Sequence, residues 1–75
     1  MKYLVIEIQK SNNGQVSQIV TSHAERAEAE QKYHTVLAYA AVSSVDIHSA
    51  VMLTDEGDMI KKETYYHGQP EEEEE

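Results

Sequence analysis

The sequence predicts an α+β fold: a two-layer sandwich of order β-β-α-β-β, with a four-stranded, mainly antiparallel sheet and one helix. Three observations predict it. Two alternating apolar segments flank Asn13-Gly14. A segment rich in Ala, Glu, Gln and Lys follows, with no Gly or Pro before Gly57. A second pair of alternating segments flanks Gly57. One helix covering one face of such a sheet gives two layers.

The size and composition indicate one small domain followed by a tail. The chain has 75 residues, and we assign residues 1–67 to a single α+β domain. Because cysteine is absent, disulfides cannot supplement a thin core, and oligomerisation is the natural alternative. Residues 68–75 end in five glutamates, out of fourteen acids in a chain of net charge -8. This composition predicts a disordered acidic tail, either solubilising or contacting a basic partner.

The first hairpin is predicted from residues 2–9 (KYLVIEIQ) and 15–21 (QVSQIVT). Asn13-Gly14 suits a two-residue type I′ turn, because Asn and Gly tolerate positive φ angles. That turn places Ile8 opposite Ile19. The sheet face toward the core would then contain Leu4, Ile6, Ile8 and Ile19.

The helix is predicted from about His23 to Val42. Ser22 and Glu25 have the spacing of a capping box, which predicts the start. Helical periodicity places one apolar stripe toward the sheet, consisting of Ala29, Tyr33, Val36, Leu37 and Ala40. A second line contains Ala27, His34, Ala38 and Ala41. It either allows close approach of another backbone or consists simply of good helix formers.

The second hairpin is predicted from residues 47–54 and 59–67, joined by the turn Asp55–Asp58. With Glu56-Gly57 at the tip, His48 lies opposite Tyr65, Ile47 opposite Tyr66, and Leu53 opposite Ile60. A longer loop would shift these pairs.

One helix covers only one face of a four-stranded sheet, so the other face is left open. Its apolar content predicts a homo-oligomer. The predicted oligomer interface consists of Tyr3, Val5, Val20, Ala50, Met52 and Met59.

The sequence gives no pattern for catalysis, a metal or a cofactor. The four histidines (His23, His34, His48 and His67) have no metal-ligand spacing on a helix. Glycine-rich phosphate loops and nucleophile-elbow motifs are absent, so we predict neither an enzyme nor a cofactor. Lys61-Lys62 is the only basic cluster, which disfavours nucleic acid binding. Glu7 interrupts the first apolar run, which disfavours a signal peptide or membrane span and makes the cytoplasm the default compartment.

Binding remains as the mode of action. Rings and hydrogen-bond donors around one predicted surface are candidates for a ligand site, although each residue alone is more simply a core or solvent-facing side chain. The candidates are Arg26, His34, His48, Lys61, Lys62 and Tyr65.

Three segments also suggest a family. The opening strand MKYLVIEIQ, then AEAEQKYHTVLAYAAVSSV and then SAVMLTDEGDMIKKETYY resemble a set of small proteins of gut Firmicutes and their phages, which share a short AE…YHxxLA helix followed by a β-hairpin. The resemblance brings no established catalytic residues. It implies an accessory, anti-defence protein acting by stoichiometric binding in the bacterial cytoplasm. The most specific form is sequestration of a nucleotide-derived host immune signal in a pocket between subunits. The alternatives are an acidic inhibitor of a host protein, possibly a nucleic-acid mimic, and a structural or assembly protein.

Overall fold

The structure is a computed structural model that describes residues 2–67. It contains strands β1 (Tyr3–Lys10), β2 (Val16–His23), β3 (Ile47–Thr54) and β4 (Met59–Tyr66), with helix α1 (Arg26–Val42) between the hairpins. The strands form one antiparallel sheet in the order β2-β1-β3-β4. The predicted α+β fold of order β-β-α-β-β is therefore confirmed. The predicted tail, residues 68–75, lies outside the described residues.

The first hairpin has a three-residue loop rather than the predicted two-residue turn. The Ser11 N–H donates to the Gln15 carbonyl and the Gly14 N–H donates to the Ser11 carbonyl, both at 2.9 Å. Gly14 is at positive φ (86°), and Asn13 accepts a hydrogen bond from the Gln15 N–H through its side chain. The predicted register is wrong by one residue, because Ile8 pairs with Gln18 instead of Ile19.

The helix packs on the opposite sheet face from the one predicted. Val5, Ala50 and Met52 lie under the helix, each at most 1% exposed. Ala50 in the sheet and Ala29 in the helix are both fully buried and small, so the two layers approach closely at β3. Leu4, Ile6 and Ile8 therefore lie on the open face of the sheet, which is the face that the helix leaves uncovered.

This reversal also corrects the predicted oligomer interface. Val5, Ala50 and Met52 belong to the core of one subunit, and Tyr3 packs against that core. Only Val20 and Met59 of the six predicted interface residues lie on the open face, because they pair with Ile6 and Leu53.

The helix begins three residues later than predicted. β2 continues to His23, which pairs with Tyr3, so Ser22 is part of a strand and cannot cap a helix. Glu25 is the N-cap residue and makes no side-chain capping hydrogen bond. The predicted end at Val42 is confirmed. The predicted core stripe is confirmed too, with four members buried and Leu37 packed against them: Ala29, Tyr33, Val36 and Ala40.

The second hairpin also has a three-residue loop, with Gly57 at a φ of 94°. The register shifts between Met52 and Leu53, where β4 contains one extra residue, Ile60. This β-bulge restores the register that a two-residue turn would give. The predicted pairs His48–Tyr65 and Ile47–Tyr66 are therefore confirmed, whereas Leu53 pairs with Met59 rather than with Ile60.

Candidate binding surfaces

The first candidate surface is the sheet face that the helix leaves uncovered, which we call the open face. Residues opposite each other in an antiparallel ladder share a face, so the registers define its members. Its apolar side chains come from all four strands and are half-buried or exposed. They are Leu4, Ile6, Ile8, Val16, Val20, Ile47, Val51, Leu53, Met59 and Tyr66. Such a continuous apolar patch is characteristic of a surface that contacts another macromolecule.

The charges on the open face are all positive. Lys10 pairs with Ile47, and Lys62 pairs with Val51, so both lysines belong to this face. Among residues 2–67, every Asp and Glu lies on the helix, in a loop or on the helix-covered face of the sheet. The open face is therefore apolar and weakly basic, although the whole chain has a net charge of -8.

A second candidate surface lies where the helix meets β4. The Arg26 Nε donates to Glu30 Oε2 at 3.0 Å, and the Lys61 ammonium lies 3.7 Å from Glu30 Oε1. The hydrogen bond from Arg26 and the positive charge of Lys61 lower the pKa of the Glu30 carboxyl. The Lys61 ammonium also lies 5.9 Å from the centre of the Tyr33 ring, which meets the His34 ring edge-on. We call these five residues the Glu30 cluster.

Tyr33 is the buried member of the Glu30 cluster. Desolvation by burial raises the pKa of Tyr33, with smaller contributions in the same direction from Glu63 and Tyr65. Tyr33 thus remains a neutral core side chain over the physiological range.

His48 forms a third feature, inside the domain. Its side chain is buried, and its Nε2 donates to Glu7 Oε2 at 2.6 Å. Glu7 Oε2 also accepts a hydrogen bond from the Gln9 side chain at 3.1 Å. His48 Nδ1 is buried and has no hydrogen-bond partner within residues 2–67. This pair joins β1 to β3 and fixes the orientation of the imidazole.

The structure distributes the six predicted ligand residues over three places. Arg26, His34 and Lys61 belong to the Glu30 cluster. His48 and Tyr65 are cross-strand neighbours on the helix-covered face, where the Tyr65 ring stacks on His67. Lys62 lies on the open face. No single surface of one subunit contains all six.

Glu7 is a site residue that the sequence analysis missed. It lies 41 residues from His48 in the chain, and the contact exists only because β1 and β3 are neighbours in the sheet. Its signal in the sequence is an acid within the apolar run YLVIEIQ, because a carboxylate in such a run needs a partner when its side of the strand is buried.

The chain has no significant match among known protein families, characterised proteins or solved structures. Within residues 2–67, no group of three or more His, Cys, Asp or Glu has the geometry to hold a metal ion. In this same part of the chain, no helix is both long enough and apolar enough to cross a membrane.

Proposed function

We propose that this protein acts by stoichiometric binding of another protein through its open face, and that it is not an enzyme. The observation on which this rests is the continuity of the ten apolar side chains across all four strands. Burying apolar surface is the main favourable contribution to protein association. Binding of a host protein is also one of the functions that the family resemblance implies.

The charge of the open face defines the chemistry of the partner. Lys10 and Lys62 are its only charged groups within residues 2–67, so the complementary surface is apolar with carboxylates near its rim. A second copy docked face to face would bring four lysines and no carboxylate together. A partner other than a copy of the chain is therefore favoured for this face.

An accessory, anti-defence role in a phage setting is part of the same proposal, and it rests on the resemblance of the helix and second hairpin to small phage proteins. A protein of this kind needs only a rigid surface of suitable shape and charge, without a pocket for chemistry. A nucleic-acid mimic would instead present acids, and the acids of the described residues lie off the open face.

The test is capture from host cells with matched charge variants. Val51 is central on the open face, between Ile6 and Lys62, so Val51→Glu introduces a carboxylate into the contact. We expect this variant to lose a partner that the wild type binds with fixed stoichiometry. Gln31→Glu, on the exposed helix surface, is the control and should retain it. Equal capture by both variants would contradict the proposal, provided that their unfolding transitions match the wild type.

Sequestration of a nucleotide-derived signal is the second candidate, and one observation favours it. Arg26 and Lys61 converge on Glu30, and Lys61 also lies beside the Tyr33 and His34 rings, so cationic donors and aromatic rings are combined at one place. Glu30 already pairs with both Arg26 and Lys61. An anionic ligand must therefore displace Glu30 or bind where a second subunit adds positive charge. Native mass spectrometry of protein purified from the host checks this candidate. A co-purifying nucleotide that is lost in the Arg26→Ala/Lys61→Ala variant would support it, and the absence of both a bound mass and a thermal shift with nucleotides would exclude it.

A further inference from the structure

β2 is an edge strand without the features that normally protect an edge. Its sequence, VSQIVTSH, contains no Asp, Glu, Lys, Arg or Pro. Its first five residues are all exposed, and three of the large apolar side chains that are exposed within residues 2–67 belong to it: Val16, Ile19 and Val20. A long, uncharged and apolar edge is a template for pairing with another strand.

The other edge strand, β4, has the expected protection. It contains Lys61, Lys62 and Glu63, and the bulge at Ile60 interrupts its ladder. Charges and bulges both discourage pairing at an edge. The two edges of one sheet therefore differ, and β2 is the edge available for a partner strand.

The hydrogen-bond pattern determines which backbone groups of β2 point outward. The bond from the Ser11 N–H to the Gln15 carbonyl fixes the alternation in the ladder, so the odd residues of β2 bond to β1. The bond from the Asp55 N–H to the Lys2 carbonyl is consistent with this alternation. It shows that the even residues of β1 bond to β3, which leaves the odd residues of β1 to bond to β2. The N–H and C=O groups of four β2 residues thus point away from the sheet: Val16, Gln18, Val20 and Ser22.

The groove beside this edge leaves it accessible. The helix packs mainly over β1 and β3, and an open groove separates it from the end of β2. The groove is lined by His23, Glu28, Gln31, Lys32 and Thr35. Ile19 faces the helix side of the sheet but remains 53% exposed, because the helix does not reach over it.

We propose that β2 pairs antiparallel with β2 of a second copy, about a two-fold axis at Ile19. This register pairs Val16 with Ser22 and Gln18 with Val20, so all four outward-pointing residues gain backbone hydrogen bonds in each copy. Ile19 then lies directly opposite its own copy. The strand has no charged side chain, so two chains of net charge -8 meet here without like charges directly opposite each other.

This dimer would extend the open face. Val16, Gln18, Val20 and Ser22 belong to that face, so strand pairing joins two four-stranded sheets into one eight-stranded sheet with a single continuous apolar surface. The proposal goes beyond the partner contact suggested above, because the contact between copies uses the edge and leaves both open faces free.

Disulfide trapping tests the register, because the chain has no cysteine of its own. Ile19 pairs with itself at a non-hydrogen-bonded position, where the Cα atoms lie about 4.5 Å apart, within the range for a disulfide. We expect Ile19→Cys to form a covalent dimer under mild oxidation. Ser17→Cys is the control on the same strand and face, because two copies of residue 17 lie four residues apart in this register, about 13 Å. Equal cross-linking of both variants, or none at position 19, would overturn the register.

A charge variant tests the interface without cross-linking. Ile19→Lys places two lysines opposite each other, and it should convert a wild-type dimer into a monomer in sedimentation experiments while the thermal unfolding of the subunit is retained. Val51→Lys, on the open face, should leave the dimer intact. A wild-type chain that is monomeric at every concentration, or a dimer broken by Val51→Lys and not by Ile19→Lys, would refute the proposal. The proposed binding of another protein is tested separately by Val51→Glu, so the two failures are distinguishable.

Discussion

The two hairpins of this protein have the same loop and different consequences. In each, a glycine at positive φ closes a three-residue loop, Gly14 in the first and Gly57 in the second. In each, the same two backbone hydrogen bonds close the loop at 2.9 Å. Only the second hairpin has a β-bulge behind its loop.

The bulge determines which side chains face the core. In β4 the extra residue, Ile60, shifts the strand by one position, so Met59 lies on the open face while Lys61 pairs with Met52. In the first hairpin, no bulge compensates, and the register of the three-residue loop continues to His23. Loop geometry alone therefore does not fix a register, since one extra residue in a strand reverses its effect.

The hairpins also differ in what they contribute to the core. The inner strand of the second hairpin contains His48, Ala50 and Met52, all buried under the helix. The edge strand of the first hairpin contains no buried residue. The second hairpin with the helix is therefore the stable centre of the fold, and β2 is the part most open to a partner.

The largest effect is expected for Met52→Ala. Met52 is fully buried, so truncation should lower the free energy of unfolding by about 2–5 kcal/mol through lost packing and a cavity. Met59→Ala is the matched control, because Met59 is 62% exposed and should cost less than about 1 kcal/mol. Urea denaturation measures both.

This pair of variants tests the bulge directly. A two-residue turn without a bulge would place both methionines on the same face, and their truncations would then have similar effects. Similar losses for Met52→Ala and Met59→Ala would contradict the register of β4.

The next-largest loss of stability is expected at the contact between the two hairpins, where Glu7 of β1 binds His48 of β3. Glu7 and Glu63 both lie opposite Ala50, one from each side, but only Glu7 binds the buried His48. Glu7→Ala should lower the free energy of unfolding by about 1–3 kcal/mol, because it leaves both ring nitrogens of His48 without a partner. Glu63→Ala, at an exposed position, should have a much smaller effect in the same denaturation experiment. Equal losses would show that the His48–Glu7 hydrogen bond does not contribute to stability.

The sequence predicted the features that depend on local periodicity. The core stripe of the helix follows from its 3.6-residue repeat, and Ile47–Tyr66 follows from the alternation on either side of Gly57. The pair Ile47–Tyr66 is confirmed only because the bulge at Ile60 offsets the three-residue loop, whereas the core stripe is confirmed because it depends on the helix alone. The end of the helix at Val42 is correct for the same reason.

The sequence could not determine which face of β1 is buried. Leu4, Ile6 and Ile8 form the more apolar side, but the helix packs on the side of Val5, where Ala50 permits close approach. That choice depends on β3, whose residues pair with β1 residues that lie 37 to 51 positions earlier in the chain. The contact of Glu7 with His48 depends on the same strand order, and the three-residue loop moved Ile19 to the other face.

Substitutions at the two loop glycines should cause smaller losses of stability, and the two losses should be equal to each other. Gly14→Ala and Gly57→Ala should each cost about 1–2 kcal/mol, because an L-residue with a side chain is strained at positive φ. An added Cβ would meet no atom within 4 Å at either site, so strain is the only cost. Asn in place of either glycine should recover part of the loss, because Asn tolerates this region. Clearly different costs at the two sites in thermal unfolding would show that the loops are not equivalent.

The smallest effect concerns Tyr33, the helix residue between Lys61 of the second hairpin and the core. Burial raises the pKa of Tyr33, so the folded state holds the phenol proton to higher pH than the unfolded state does. The resulting stabilisation is complete below the ordinary tyrosine pKa of about 10 and is lost as the pH rises through the higher folded-state pKa. Tyr33→Phe removes the ionisable group and keeps the ring, so its free energy of unfolding should fall less steeply above pH 10 than that of the wild type. The variant Glu63→Gln, which keeps Tyr33, should lose free energy of unfolding slightly less steeply above pH 10 than the wild type. The reason is that the Glu63 charge contributes to the raised pKa of Tyr33. Parallel pH profiles for the wild type and Tyr33→Phe would show that packing between the helix and β4 does not raise the pKa of Tyr33.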